Sequence, residues 1–201
     1  TMKEASQKQS LLQKQVDVNK VTAVLNSLET GIVQLDSVNS ELLLQALNNY
    51  ELSERIIDYF VSLGFQLEEF DLQTISLQTD IKENAVVDRF TARIIDILRF
   101  GSSAHKYNAL QFLSRLKLKQ SYGANAQLLS ALQTMFESEK DKDVIKMAGL
   151  AYINLLNSID PLYDYNANGD VYVVYRNGFD YLKSVLDQDT FEFVVHNAGI
   201  N

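Results

Sequence analysis

The sequence predicts a mostly α-helical protein. Over most of its 201 residues, apolar side chains recur at intervals of three and four, the spacing of one face of an α-helix. One proline and eight glycines leave little of the turn chemistry that a sandwich or barrel of many short strands requires. Because 46% of the residues are hydrophobic, the chain has material for one sizeable core.

We expect three regions that form one continuous domain. Residues 1–80 are predicted to form an N-terminal helical hairpin or coiled coil, and residues 81–160 to form antiparallel helix pairs. Residues 161–201 are predicted to form a Tyr-rich turn or small β-hairpin, followed by terminal helices.

A heptad pattern of apolar residues runs through the N-terminal region. Such a narrow apolar seam pairs either with a second copy of the chain, giving a homodimer, or with the rest of the same domain. Gly31 disfavours helix, so we expect a break there, with Asp36 or Ser37 capping a new helix. The seam, which Lys14 and Asn39 interrupt, consists of Leu11, Val18, Val21, Leu25, Leu28, Ile32, Leu35 and Leu42.

Helical spacing continues from Glu41 to Phe60, and Leu63-Gly64 predicts a helix stop. Ser53 is a candidate start for a second helix in this stretch. The acidic residues that follow, Glu68, Glu69 and Asp71, are interpreted as a solvated edge rather than as a metal site.

Two helix pairs are predicted in the middle of the chain. The first comprises residues 86–100 and 103–119, and the second comprises residues 124–138 and 141–158, so the pattern repeats after about 39 residues. The segments 129–132 and 143–151 resemble a HEAT unit of the HEAT/armadillo class of helical repeats, although Tyr107 departs from the pattern at the place of Lys146. The resemblance covers about residues 86–158. It implies a right-handed stack of helix pairs whose exposed face binds other macromolecules.

Residues 82–119 reverse the acidic balance of the chain, with eight basic against three acidic residues. This basic face is either one half of an internal or intersubunit charge match or a nucleic-acid groove. No base-reading motif accompanies it, which makes nucleic acid the less favoured partner. The candidate binding residues are Arg89, Arg93, Arg115, Lys117 and Lys119.

Two interpretations remain open for residues 162–175. Asn168-Gly169 is typical of a β-hairpin turn between the Tyr-rich and Val-rich halves. The same stretch resembles the first half of an EF-hand or dockerin-like calcium loop over residues 164–175. That resemblance implies weak calcium binding, because Tyr175 stands where the family has a bidentate carboxylate. The implied ligands are Asp164, Asn166, Asn168 and Asp170.

The last residues predict short elements. Asn177-Gly178 is interpreted as a second turn, residues 179–186 as a short helix, and Asp189 with Glu192 as the capping box of a final helix. The histidines, His105 and His196, are interpreted as ordinary turn and helix-end residues.

Composition excludes several kinds of chemistry. Without cysteine there are no disulfides, thiolate metal sites or cysteine nucleophiles, and two histidines leave little for imidazole ligation. No Gly-rich phosphate loop or nucleophile elbow occurs, so we expect no cofactor other than a possible calcium ion. The favoured function is a non-enzymatic interaction or scaffold protein with another protein as partner. The alternatives are a weak calcium-binding structural protein, a nucleic-acid-binding protein and a hydrolase that uses carboxylates alone.

Charge and segment patterns bear on the compartment. The net charge of −8 disfavours general binding to polyanions, and no apolar run is long enough for a membrane span. The absence of cysteine slightly favours an exported, periplasmic bacterial protein from which a leader has been removed, with the cytoplasm as the alternative.

Overall fold

The computed structural model describes residues 1–64, 70–71, 83–117, 122–157 and 171–198. Most of these residues are helical, which confirms the expectation of a mostly α-helical fold. The described helices are α1 (Met2–Glu29), α2 (Ser37–Gln45), α3 (Tyr50–Leu63), α4 (Glu83–Phe100), α5 (Ser103–Leu113), α6 (Tyr122–Ser138), α7 (Lys142–Asn157), α8 (Val171–Val185) and α9 (Gln188–Asn197), with a 3-10 turn at Ala46–Asn48.

The predicted break at Gly31 is confirmed. Gly31 has a φ of 75°, a conformation that glycine adopts without steric cost. Its N–H donates to the carbonyl of Leu28 (3.2 Å), and the N–H of Ile32 donates to the carbonyl of Ser27 (3.0 Å). This pair of bonds is a Schellman motif, which satisfies carbonyls at the end of α1 and turns the chain away from the helix axis.

Local capping residues set the next two helices. Asp36 caps α2 by accepting a hydrogen bond from the Asn39 N–H at 2.7 Å, as expected. The expectation that Ser53 begins a helix is wrong, because Asn49 caps α3 and Ser53 lies buried inside it. The stop after Leu63 is confirmed, since Gly64 adopts a φ of 53° at the end of α3.

The four middle helices form two pairs that lie against each other. Each pair consists of consecutive helices, α4 with α5 and α6 with α7. Between the pairs, α4 contacts α6 and α5 contacts α7. The resemblance of this region to HEAT repeats stays a prediction.

Helix α5 is shorter than the expected 103–119. It ends at Leu113, and Leu116–Lys117 forms a two-residue strand, β2, which pairs in parallel with Phe70–Asp71, strand β1. The amide of Asn154, on α7, donates hydrogen bonds to the carbonyls of Leu113 (2.7 Å) and Leu116 (2.8 Å). These long-range bonds satisfy backbone groups that a continued helix would have satisfied internally.

The expected β-hairpin is wrong for its second half, because Val171–Val185 forms helix α8. Asn177-Gly178 is likewise not a turn but part of this helix. Gly178 lies so close to Leu156 of α7 that an added Cβ would stand 2.6 Å from a Leu156 methyl carbon. At Gly178, close packing against α7 therefore prevails over the turn propensity of Asn-Gly. The first half of the expected hairpin lies outside the described residues.

Helix α9 begins earlier than its predicted capping box. Its cap is Asp187, which accepts a hydrogen bond from the Thr190 N–H at 2.7 Å. Asp189 lies within the first turn, where a carboxylate interacts favourably with the helix dipole. In the sequence only Asp189 has the glutamate three positions later that completes a capping box, so the local pattern favoured the wrong aspartate.

One hydrophobic cluster contains buried side chains from all nine described α-helices. Helix α7 is central, since it contacts α5, α6, α8 and α9. Residues of α6, α7 and α8 meet in an aromatic group, in which the Tyr152 and Tyr181 ring centroids are 5.7 Å apart. Among the described helices, none has both the length and the apolar character needed to cross a membrane.

A candidate docking cleft between the first, third and fifth helices

A cleft of about 970 Å³ lies between the end of α1, the connection to α2, one face of α3 and the start of α5. Almost all of its lining side chains remain exposed or half-exposed, so the cleft is an open surface feature rather than a closed chamber. The lining residues are Leu28, Glu29, Val33, Gln34, Leu35, Arg55, Asp58, Tyr59, Ser62, Leu63 and His105.

Helix α3 supplies one wall through residues of a single face. Arg55, Asp58, Tyr59, Ser62 and Leu63 follow each other at helical intervals of three, four, seven and eight from Arg55. The opposite face of α3 carries its buried side chains and packs into the core. The amphipathic pattern of this helix therefore directs a mixed polar and apolar face into the cleft.

Arg55 links the wall of α3 to the end of α1. Its Nε donates to Oε1 of Glu29 at 3.0 Å and its Nη2 to Oε2 at 2.8 Å, and Nη2 also donates to the amide oxygen of Asn26. The hydrogen bond to Glu29 is the main reason that the pKa of Arg55 is raised, against the opposing effect of burial. Burial, and then the charge of Glu29, raises the pKa of Tyr59 beside this pair.

Asp58 is paired in the same way with a residue outside the cleft. Arg93, on α4, donates from Nε to Oδ1 of Asp58 at 2.6 Å and from Nη2 to Oδ2 at 2.9 Å. The Nη1 atom of Arg93 lies 3.3 Å from Oε1 of Glu54. Both cleft carboxylates, Glu29 and Asp58, are thus held by arginines in two-point contacts.

The connection after Gly31 supplies the apolar side of the cleft. Ile32 is 81% exposed and Val33 is 41% exposed, and Val33 and Leu35 line the cleft. Ile32 occupies the position of the Schellman motif that usually makes an apolar contact with the preceding helix. Its high exposure means that no such burial occurs here.

The structure divides the heptad seam rather than presenting it as one face. Val21, Leu25 and Leu28 are buried in the core of the chain itself, and Val18, Leu35 and Leu42 are partly buried against that core. Ile32 lies beyond the end of α1 and is exposed. The side chain of Leu11 lies outside the described residues.

The basic candidates are likewise divided. Arg93 is bound to Asp58 and Glu54 within the chain, which is the internal charge match that was one of the two interpretations. Arg89 is half-buried on α4, Arg115 is exposed, and Lys117 is half-buried in β2. Lys119 lies outside the described residues, as do the calcium-loop candidates Asp164, Asn166, Asn168 and Asp170.

Two residues have buried polar atoms without a hydrogen-bond partner among the described residues. They are Arg89, through Nη1, in α4, and Asn125, through both side-chain polar atoms, in α6. The two helices that carry these residues contact each other. In the described part of the chain, no group of three or more His, Asp or Glu side chains is placed to hold a metal ion.

Sequence reasoning missed the cleft. His105 was interpreted as an ordinary turn residue, and Arg55, Asp58 and Tyr59 were not singled out because they are common residues of an amphipathic helix. The available signal was the pair Ile32-Val33 directly after a helix-ending glycine, since adjacent aliphatic residues in a short connection can form part of an apolar surface patch.

Comparisons of this chain with protein-family models, with curated proteins and with solved structures give no match in any of the three.

Proposed function

We propose that this protein is a non-enzymatic interaction or scaffold protein that holds a segment of another protein in the cleft between α1, α3 and α5. The observation that carries the proposal is the exposure of Ile32 and Val33 beside a cleft that also has apolar side chains in its walls. Val33 lines the cleft and Ile32 precedes it in the chain, so the two extend the apolar surface of the cleft, and neighbouring exposed apolar side chains are typical of interaction sites.

The composition of the cleft favours a macromolecular partner over a small molecule. Small-molecule sites are largely enclosed and apolar, with a few convergent polar groups. Here the lining is open. Its charged side chains, Glu29, Arg55 and Asp58, are already paired with oppositely charged residues of the same chain. A mixed polar and apolar surface of this kind is instead usual for a protein interface.

The stacked helix pairs support the same class of function. Helix α5, one wall of the cleft, belongs to these pairs, and α3, another wall, packs against α4 and α5. The resemblance of residues 86–158 to HEAT units adds to this argument, because proteins of that class bind macromolecules on exposed helical faces.

A peptide-display selection against the full chain tests the proposal. Selected peptides are measured again on the double variant Ile32→Ser/Val33→Ser. We expect the dissociation constant of most to rise about tenfold or more, because two aliphatic contacts are lost.

The matched control is Phe100→Ser/Val185→Ser. Phe100 is 83% exposed and Val185 is 38% exposed, close to the values for Ile32 and Val33, and neither lines the cleft. Selected peptides that bind both double variants equally well would refute a docking role for the cleft.

A further inference from the structure

We infer that the partner segment is cationic and amphipathic, with aliphatic residues on one side and Lys or Arg on the other. This inference rests on the proposed function, and it concerns the chemistry of the occupant. The aliphatic side of the partner segment is inferred from the apolar surface of the cleft, which is supplied by Val33, Leu35, Tyr59 and Leu63.

The charge of the surrounding chain supplies the other half of the argument. From Glu29, the last residue of α1, to Leu63, the last residue of α3, there are six acidic residues against the single basic residue Arg55; with Arg93 of α4, which pairs with two of the six, the net charge is −4. The acidic residues are Glu29, Asp36, Glu41, Glu51, Glu54 and Asp58. A surface of this charge attracts cations and repels acidic segments.

The nearby arginines do not make the net charge around the cleft positive. Arg55 is held by Glu29 and Asn26, and Arg93 is held by Asp58 and Glu54. An acidic partner would have to compete with these carboxylates for each guanidinium. By contrast, Glu41 on α2 and Glu51 on α3 are exposed and form no ion pair with any described residue, so their negative charges add to the field around these helices.

The remaining charged groups around the cleft are consistent with the same partner. Lys106, next to His105 on α5, donates to Glu139 at 3.1 Å and is thus already neutralised. Gln34 lines the cleft and is exposed, which makes it a site where a charge can be added without disturbing the core.

Three fluorescein-labelled model peptides of equal length test the inference by fluorescence anisotropy. Each has leucines at helical intervals of three and four, with Lys, Gln or Glu at all other positions. We expect the Leu/Lys peptide to bind about tenfold more tightly than the Leu/Gln peptide, because several surface ion pairs each add a few-fold in affinity. The Leu/Glu peptide should bind least, and added salt should weaken the Leu/Lys complex.

Variants tie this binding to the cleft. Gln34→Lys should weaken binding of the Leu/Lys peptide about two- to threefold, and Gln34→Glu should strengthen it by a similar factor, since one exposed charge acts in opposite directions. Ile32→Ser/Val33→Ser should abolish most of the binding, whereas Phe100→Ser/Val185→Ser should leave it unchanged. Thermal unfolding of each variant verifies that the fold is retained.

Each other outcome overturns the inference in a distinguishable way. If the Leu/Gln or Leu/Glu peptide binds as tightly and depends on Ile32 and Val33, the partner is not cationic but the docking function stands. If no peptide depends on these residues, the inference fails and the display selection alone decides the function. If light scattering shows a dimer that Ile32→Ser/Val33→Ser dissociates, a second copy of the chain occupies the cleft.

Discussion

Arg93 of α4 donates two hydrogen bonds, of 2.6 and 2.9 Å, to the carboxylate of Asp58 on α3. A planar guanidinium facing a carboxylate in this way fixes both the distance and the rotation between two helices. The contact therefore positions the wall of the cleft relative to the stacked helix pairs, and it uses a residue that the sequence had offered as a binding group.

Replacement of Arg93 tests how much this contact contributes to stability. We expect Arg93→Lys to lower the free energy of unfolding by about 0.5–1 kcal/mol, because lysine cannot make the two-point contact and the pair is partly screened by water. Urea denaturation measures the change. Arg99→Lys, at an exposed position on the same helix, is the control, and an equal effect of both substitutions would show that the pairing is not important.

Lys106 and Glu139 predict a pH dependence of stability. Burial opposes the charged form of Glu139, but hydrogen bonds from Lys106 and from the backbone N–H groups of Asp141 and Lys140 outweigh it, so the pKa of Glu139 is lowered. A lowered folded-state pKa stabilises the protein above the ordinary glutamate pKa, and this contribution is lost as the pH falls through the lower folded value.

Glu139→Gln isolates this contribution. At neutral pH we expect the variant to be less stable than the wild type by about 1 kcal/mol, a modest value because the pair retains some contact with water. The difference should shrink as the pH falls below the ordinary glutamate range of about 4.3. Urea denaturation at a series of pH values measures it. A difference that stays constant with pH would contradict this account.

Leu25 distinguishes a core residue from a residue of a dimer seam. Because its side chain is fully buried in the chain's own core, we expect Leu25→Ala to cost about 2–5 kcal/mol of stability without changing the mass in solution. Ile32→Ala, at an exposed position of the same heptad pattern, should change stability by less than about 0.5 kcal/mol. Light scattering that shows both variants dissociating a wild-type dimer would restore the seam interpretation.

Gly149 tests the close packing of α7 against α9. An added Cβ would stand 2.5 Å from a γ-methyl carbon of Val194, whose branched side chain is stiff. We therefore expect Gly149→Ala to destabilise the protein by about 1–3 kcal/mol. Gly123→Ala, in α6 with no atom within 4 Å of the added Cβ, should instead stabilise it by about 0.5 kcal/mol. Equal melting temperatures for the two variants would contradict the close approach of Gly149 to Val194.

The helix ends show which local features were predictable. Gly31, Asp36 and Gly64 act through their own backbone conformation or through a hydrogen bond to a residue three positions away, so their effects depend on nearby sequence alone. The end of α5 was not predictable in this way. It depends on Asn154, which lies about forty residues further along the chain.

The candidate site was harder to predict than the fold. Each cleft residue looks ordinary in its own helix, and the cleft exists only because α1, α3 and α5 converge. The basic face illustrates the same difficulty, because a cluster of cations in sequence does not reveal that Arg93 is already bound to carboxylates of another helix.

By itself the sequence determined the helical class, several helix boundaries and the absence of cysteine chemistry, because these follow from periodicity, capping residues and composition. The tertiary structure alone decided that residues 171–185 are helical, that Val21, Leu25 and Leu28 face the chain's own core, and that Ile32 and Val33 are left exposed. The physical reason is that burial is a property of contacts between distant segments. Residues that share the same local pattern can therefore be buried in the chain's own core, buried between two copies or left exposed at a cleft, according to which segments pack against them.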